Sequence, residues 1–248
     1  MSSTRATEST GDRLDGATGV VTGASRGIGL AIATTLVAHG ARVALIARGA
    51  SSLHEAAESL GVAAIPIVCD VSDGIEVDAA VRRIRAEFGG APTIVVNNAG
   101  AFTLAPVEAT DPISFAEALD TNLVAPLRFM RAFLADMRAR AAGHLITIGS
   151  IADRHAFPGN GAYAASKFGM RALHEVLRLE TRGSGVRATL ISPGPVDTSL
   201  WDPIDPDNRA GFTPRSQMLD VHAVAAAVIY SVAQPPHVTV DELRLSRS

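Results

Sequence analysis

Thr22-Gly23-Ala24-Ser25-Arg26-Gly27-Ile28-Gly29 is the stretch that decides how the rest of this chain is read. It ends a strand-like run, Thr18–Thr22, and opens directly into a helical pattern, Gly27–His39. Three glycines between strand and helix let the backbone turn tightly and come close to whatever occupies the turn. The helix start offers unpaired N–H groups and the positive end of a dipole, which together suit a pyrophosphate. The spacing is Gly-x-x-x-Gly-x-Gly, not the Gly-x-Gly-x-x-Gly of the general dinucleotide fingerprint. Taken alone it describes any tight strand–helix connection equally well.

Outward from this turn the same alternation continues. Strand-like runs at Arg42–Ala47, Ala63–Cys69, Thr93–Asn97, His144–Gly149, Val186–Ile191 and Val238–Leu245 alternate with helical patterns at Ser52–Leu60, Gly74–Phe88, Ile113–Ala141, Gly161–Arg182 and Val221–Ala233. Such alternation gives a parallel sheet with right-handed crossover helices. The expected fold is therefore α/β: a single-domain Rossmann fold, a doubly wound parallel sheet of seven strands with helices on both faces. The long helix Ile113–Ala141 is expected to bend near Pro126, which lacks a backbone donor. With no linker and no fixed-period repeat, one domain is expected over 16–248, behind a flexible polar tail over 1–15. One irregular stretch, Pro193–Asp220, holds Pro193, Pro195, Pro203, Pro206 and Pro214, and a loop this long is more often functional than idle.

Composition narrows the function. The chain is 47% hydrophobic but only 4% aromatic, so Ala, Val, Leu and Ile must build the core, as in strands covered on both faces. A net charge of −3 without any long basic run excludes a nucleic-acid partner. The single cysteine, Cys69, excludes an intrachain disulfide and a cysteine-rich metal site, and no metal is expected. The first residues lack a signal-type apolar core, and no apolar run approaches the ~20 residues of a membrane helix. A soluble, cytoplasmic protein is expected, with no membrane partner.

The residues that carry chemistry fall at the carboxyl ends of the strands, where such sheets bind ligands. The second strand ends in Ala47-Arg48, where a site for an unphosphorylated ribose would carry an acid. Arg26 within the glycine turn and Arg48 can both meet a 2′-phosphate, although either alone is an ordinary surface charge. Asn97-Asn98-Ala99-Gly100 closes the fourth strand and Ser150 the fifth. Tyr163 and Lys167, four apart, share one face of the next helix. An ammonium beside the Tyr163 hydroxyl stabilises its phenolate and fits it to exchange a proton with a carbonyl oxygen. Ser150 is placed to donate a hydrogen bond to the same oxygen as charge develops there. A lone Tyr-x-x-x-Lys pair is usually surface decoration; the order of these features around one sheet edge is what makes them informative.

Together Thr22–Gly29, Asp70-Val71, Asn97–Gly100, Asn122, Ser150, Tyr163-Ala-Ala-Ser-Lys167 and Pro193-Gly194 followed by Thr198 resemble the short-chain dehydrogenase/reductase family over nearly the whole chain. The resemblance implies an NADP(H)-dependent oxidoreductase acting on a small carbonyl or alcohol. It implies a catalytic tetrad of Asn122, Ser150, Tyr163 and Lys167, with Tyr163 the general acid/base and Lys167 also on the nicotinamide ribose. Ser150 would orient the substrate oxygen, and Asn122 would hold a water that links Lys167 to solvent. The cofactor would contact Gly23, Ser25, Arg26, Gly27, Ile28 and Gly29 at its phosphates. Arg48 would meet the 2′-phosphate, and Asp70 and Val71 the adenine. Asn97, Ala99 and Gly100 would lie by the adenosine ribose, and Pro193, Gly194, Val196 and Thr198 by the carboxamide. Ala47-Arg48 is similar to the NADP-preferring members, and a homotetramer or homodimer is implied.

The ending Val238-Thr-Val-Asp-Glu-Leu-Arg-Leu245 departs from the glycine-rich tail of the β-ketoacyl carrier-protein reductases. That activity and a non-catalytic NADP(H)-sensing regulator remain the alternatives; the complete tetrad speaks against the second. Ile151–Asn160 and the loop Leu200–Met218 are expected to line the substrate pocket. They bring Arg154, His155, Phe157, Trp201, Phe212, Arg215 and Met218, with Phe212 readable as either pocket or core. The loop is expected to be mobile until substrate binds.

Overall fold

Val20 and Val21 are neighbours in sequence and belong to opposite sides of one sheet, as the period of two along a strand requires. The same sorting separates Ala44 from Leu45 and Val95 from Val96. The computed structural model of the protein describes residues 14–248. Its strands are β1 (Thr18–Thr22), β2 (Arg42–Ala47), β3 (Ala64–Val68), β4 (Ile94–Asn97), β5 (Gly143–Ile148), β6 (Val186–Pro193) and β7 (Glu242–Leu245). All seven are parallel, in the order β3-β2-β1-β4-β5-β6-β7. The expected doubly wound Rossmann sheet is present.

Helices α1 (Gly27–Ala38), α2 (Ala50–Leu60), α3 (Gly74–Phe88), α4 (Pro112–Leu119), α5 (Ala125–Ala139), α6 (Gly161–Thr181) and α7 (Val221–Val232) cover the two faces. Leu36, Leu53 and Val228 of α1, α2 and α7 pack into one layer, and Ile84, Phe133 and Leu177 of α3, α5 and α6 into the other. The strand order reverses between β1 and β4. The connections leaving these two strands diverge there, and a crevice opens at their carboxyl ends.

Two expectations need correction, and a third falls almost wholly outside the described residues. The helix expected over Ile113–Ala141 is interrupted: α4 and α5 are joined by a π-helical segment, Asp120–Val124. Pro126 has no N–H to return to the Asn122 carbonyl four residues back, so the defect lies just before the proline rather than at it. The last strand is shorter than the expected Val238–Leu245. The Arg187 guanidinium donates to Ser231, Val232, Gln234 and Val238 carbonyls, and ladder pairing starts only at Glu242. The tail expected over 1–15 lies outside the described residues except for Leu14 and Asp15. Leu14 donates to the His39 carbonyl at 2.7 Å and packs against the core.

Candidate active site

The glycine turn closes because nothing but backbone fits into it. A Cβ on Gly29 would lie 2.1 Å from the Gly23 carbonyl oxygen, and one on Gly23 would lie 3.0 Å from Ala99 Cα. Gly23 and Gly27 also take positive φ, +67° and +56°. Arg26 occupies the N-cap of α1 in extended conformation and makes no side-chain capping bond, so the first-turn N–H groups have no side-chain acceptor from it. Ala24 is buried, whereas Arg26 is exposed beside the turn. Asn98 locks this arrangement: its Nδ2 donates to the Thr22 carbonyl at 2.8 Å, while the Asn98 and Ala99 N–H groups both donate to Thr22 Oγ1 at 3.0 Å. Sequence reading passed over Asn98 in favour of Asn97. The available signal was the strand period, which sends the second asparagine to the opposite face from the first. Asn97 itself is buried, with no hydrogen-bond partner for its amide among the described residues.

Arg48 and Asp70 close the far edge of the crevice. Arg48 Nη1 lies 3.6 Å from Asp70 Oδ2. Burial pushes the Asp70 carboxyl up, but hydrogen bonds from Ser72 and the Arg48 charge outweigh it and leave the group below its ordinary range. Val71 is buried, and its carbonyl accepts from Arg128.

On the other side, Tyr163 and Lys167 stand one helical turn apart on α6. Lys167 is only 5% exposed. Its Nζ donates to the Ile148 carbonyl at 3.1 Å and lies 5.6 Å from the centre of the Tyr163 ring. Ser150 lies two residues past the end of β5 and accepts from the Ala152 N–H at 3.1 Å; that contact leaves its own hydroxyl hydrogen unused. Asn122, inside the π segment, bonds both the carbonyl and the N–H of Ala101, and its Nδ2 also donates to Ser166 Oγ at 2.9 Å. Ser166 in turn donates to the Tyr163 carbonyl at 2.7 Å. Its side chain thus tethers the loop after β4 to α6, a bond set that spacing alone did not reveal.

The loop after β6 returns to both halves of the crevice. Thr198 Cγ2 would meet a Cβ on Gly27 at 3.3 Å, and Gly194 N–H donates to the Leu245 carbonyl at 2.8 Å. Pro193 ends β6 and Val196 is buried. Phe102 stands edge-on to Tyr163 at 4.7 Å and to Trp201 at 5.2 Å, and Trp201 meets Phe212 at 6.3 Å. Phe102 was absent from the expected lining, although it directly follows Asn97–Ala101 in sequence. Three expected lining residues have these surroundings. Arg154 pairs with Glu242 of β7, Arg215 pairs with Asp197 and Asp202, and Phe157 lines an open groove of about 550 Å³ with Val107 and Phe168. Arg215 also donates to the Thr198 carbonyl, and Trp201 Nε1 donates to the Val196 carbonyl at 3.0 Å. These bonds tie both ends of the loop to the residues that follow β6.

These residues fit a dinucleotide: a floor of backbone at the turn, guanidinium groups at its ribose end, and a tyrosine–lysine pair at the other. The family described as short chain dehydrogenase matches residues 17–209. The chain is 37% identical over 237 residues to a glycine betaine reductase of Emericella nidulans, covering 93% of this chain and 18% of that protein. It thus spans less than a fifth of that relative. An uncharacterized oxidoreductase of Staphylococcus aureus is 34% identical over 225 residues, covering 90% of this chain and 94% of the relative. A metagenomic short-chain oxidoreductase solved in complex with NADP superposes with a TM-score of 0.81 at 30% identity, over 95% of this chain and 98% of the other. The chain belongs to the short-chain dehydrogenase family of oxidoreductases, which use nicotinamide cofactors.

Proposed function

We propose that the protein is an NADP(H)-dependent oxidoreductase that interconverts a small ketone or aldehyde and its alcohol, with Tyr163 as general acid/base. The observation that carries this is the buried Lys167 ammonium over the Tyr163 ring, on the helix beside Ser150. The reduced dinucleotide, when bound, supplies the hydride. The chain's own residues do the rest. Tyr163 gives its hydroxyl proton to the carbonyl oxygen as the alcohol forms. Lys167 favours the phenolate that remains and holds ribose hydroxyls with its other donors. Ser150 donates to the substrate oxygen as it becomes anionic. Asn122 fixes the α6 backbone behind Tyr163. Arg26 and Arg48 face the 2′-phosphate, and Asp70 the adenine.

Phe102, Trp201 and Phe212 make the wall against which the rest of the substrate lies. Electron-rich rings also attract an onium group, so an aldehyde bearing trimethylammonium is a second reading, in keeping with the glycine betaine reductase among the relatives. Exposed Leu127, Phe168, Val176 and Leu179 on α5 and α6 support assembly into a homodimer or homotetramer. The free, buried Cys69 suits a reducing compartment such as the cytoplasm.

The test is NADPH oxidation against a panel of ketones and aldehydes, including a trimethylammonium aldehyde, with the Tyr163→Phe variant beside the wild type. Phe keeps the ring and removes the proton, so turnover should fall ~10²–10⁴-fold. NADPH affinity, read by fluorescence titration, should stay unchanged. Near-wild-type turnover of Tyr163→Phe would mean that the proton comes from another group.

A further inference from the structure

Behind Ser150 lies a carboxyl group for which the reaction above has no use. Asp153 closes the single turn Ile151–Asp153 that follows Ser150, and it is 1% exposed. Its N–H donates to the Ser150 carbonyl at 2.9 Å, in the same turn in which Ala152 N–H donates to Ser150 Oγ. Its side chain reaches across to β6, where Ser192 Oγ donates to Oδ2 at 2.5 Å. Its other oxygen lies 3.6 Å from Arg154 Nε, and Arg154 bonds Glu242 of β7 at 2.6 Å. The backbone before Ser150 rests directly on this contact: a Cβ on Gly149 would lie 2.8 Å from both Asp153 Oδ2 and Ser192 Oγ.

Burying a carboxyl group with so few partners is unfavourable, and a small apolar residue would fill a turn more easily. What Asp153 adds is a link. Ser192 immediately precedes Pro193-Gly194, so one side chain joins the turn after β5, which carries Ser150, to the end of β6, which carries the wall expected beside the nicotinamide. We infer that Asp153 is a positioning residue that sets the Ser150 hydroxyl relative to the Pro193–Gly194 edge, through Ser192. This rests on the reading of Ser150 given above. Catalysis is sensitive to such placement: an error of about 1 Å in a reacting group costs ~10²-fold in rate.

Four variants test it: Asp153→Ala, Asp153→Asn, Ser192→Ala and the double Asp153→Ala/Ser192→Ala. Asp153→Ala is expected to lower kcat by about ten- to a hundredfold while NADPH affinity holds within about threefold. Asp153→Asn keeps an acceptor for Ser192 and should recover most of the loss, which a requirement for charge alone would not allow. Ser192→Ala breaks the same link from the other side and should also lower kcat, and the double variant should be no slower than Asp153→Ala. Hydrogen exchange supplies a readout independent of turnover: the Gly149 and Ala152 amides should exchange at least about tenfold faster in Asp153→Ala and Ser192→Ala. Unchanged exchange in both overturns the inference. So does faster exchange with wild-type kcat, which would make Asp153 a structural staple only. If the wild type reduces no carbonyl at all, the proposed function fails on that result, and the exchange data still decide whether the link holds the Ser150 turn.

Discussion

Replacing Arg48 with Ala should separate the two nicotinamide cofactors. The side chain is 77% exposed, and its ion pair with Asp70 spans 3.6 Å. An exposed pair of this kind contributes at most about 1 kcal/mol, so the fold should barely notice its loss. The effect on a 2′-phosphate is larger. A charge-assisted hydrogen bond contributes ~1.5–3 kcal/mol, and exposure argues for the lower end, or about ten- to thirtyfold in affinity. Asp70 adds to this. Burial pushes its carboxyl up, yet the Ser72 hydrogen bonds that pull it down survive the substitution. Arg48→Ala therefore leaves Asp70 a carboxylate without its Arg48 ion pair, near the incoming phosphate. The assay is fluorescence titration of wild type and variant with NADPH and NADH at neutral pH, in dilute buffer and again in ~1 M salt, where screening falls to about 3 Å. NADPH should weaken by at least about tenfold in dilute buffer and by less in salt, with NADH nearly unchanged. Equal weakening of both cofactors, or equal affinity of the wild type for both, would refute the assignment of Arg48.

Gly29→Ala should abolish tight cofactor binding and lower the melting temperature, because its Cβ would sit 2.1 Å from the Gly23 carbonyl oxygen and 2.6 Å from Asn98 Nδ2. Overpacking of this kind costs ~1–3 kcal/mol; a variant that titrates NADPH and melts like the wild type would contradict the closed turn. Stability should also fall between neutral pH and about pH 4. Burial drives His174 down to about 4 and His144 well below the ordinary histidine range, with Arg178 and Arg187 respectively adding to the effect. Both rings are neutral in the folded chain, hydrogen-bonded to Thr147 and Thr189. The unfolded chain binds their protons below ~6.5, so each histidine removes up to about 1.4 kcal/mol per pH unit on acidification and nothing above that range. Urea unfolding from pH 7.5 to 5 should give a shallower pH slope in His144→Asn and His174→Asn than in the wild type, and identical slopes would sink the idea.

Much of this was legible because the signals were periodic or local. The strands carry apolar residues on both faces, and the glycine turn, Ser150, Tyr163 and Lys167 each mark a strand end or a helix face by spacing alone. What stayed hidden depends on partners distant in sequence. Nothing near Arg154 or Arg215 shows that one finds Glu242 and the other Asp197 and Asp202. Phe157 carries the same ambiguity, since an aromatic after a strand fits a pocket and a surface groove equally. The interruption of the long helix was half legible: Pro126 marked a defect, but its position upstream follows from which carbonyl loses its donor.

That defect bears directly on the site. An uninterrupted helix over Asp120–Val124 would carry Asn122 on a regular α-helical turn; the π segment instead accompanies its reach to both Ala101 and Ser166. Ala101 and Phe102 are consecutive, so the loop after β4 grips α6 twice. It holds the helix backbone through Asn122 and Ser166, whose hydroxyl bonds the Tyr163 carbonyl, and it holds the Tyr163 ring through Phe102. Lys167 is fixed in the same way, by the Ile148 carbonyl at the end of β5. Tyr163 and Lys167 are thus each held by a residue from a strand end, one after β4 and the other at the end of β5. Placement of this kind confers the preorganisation that proton transfer requires, at the expense of a regular helix.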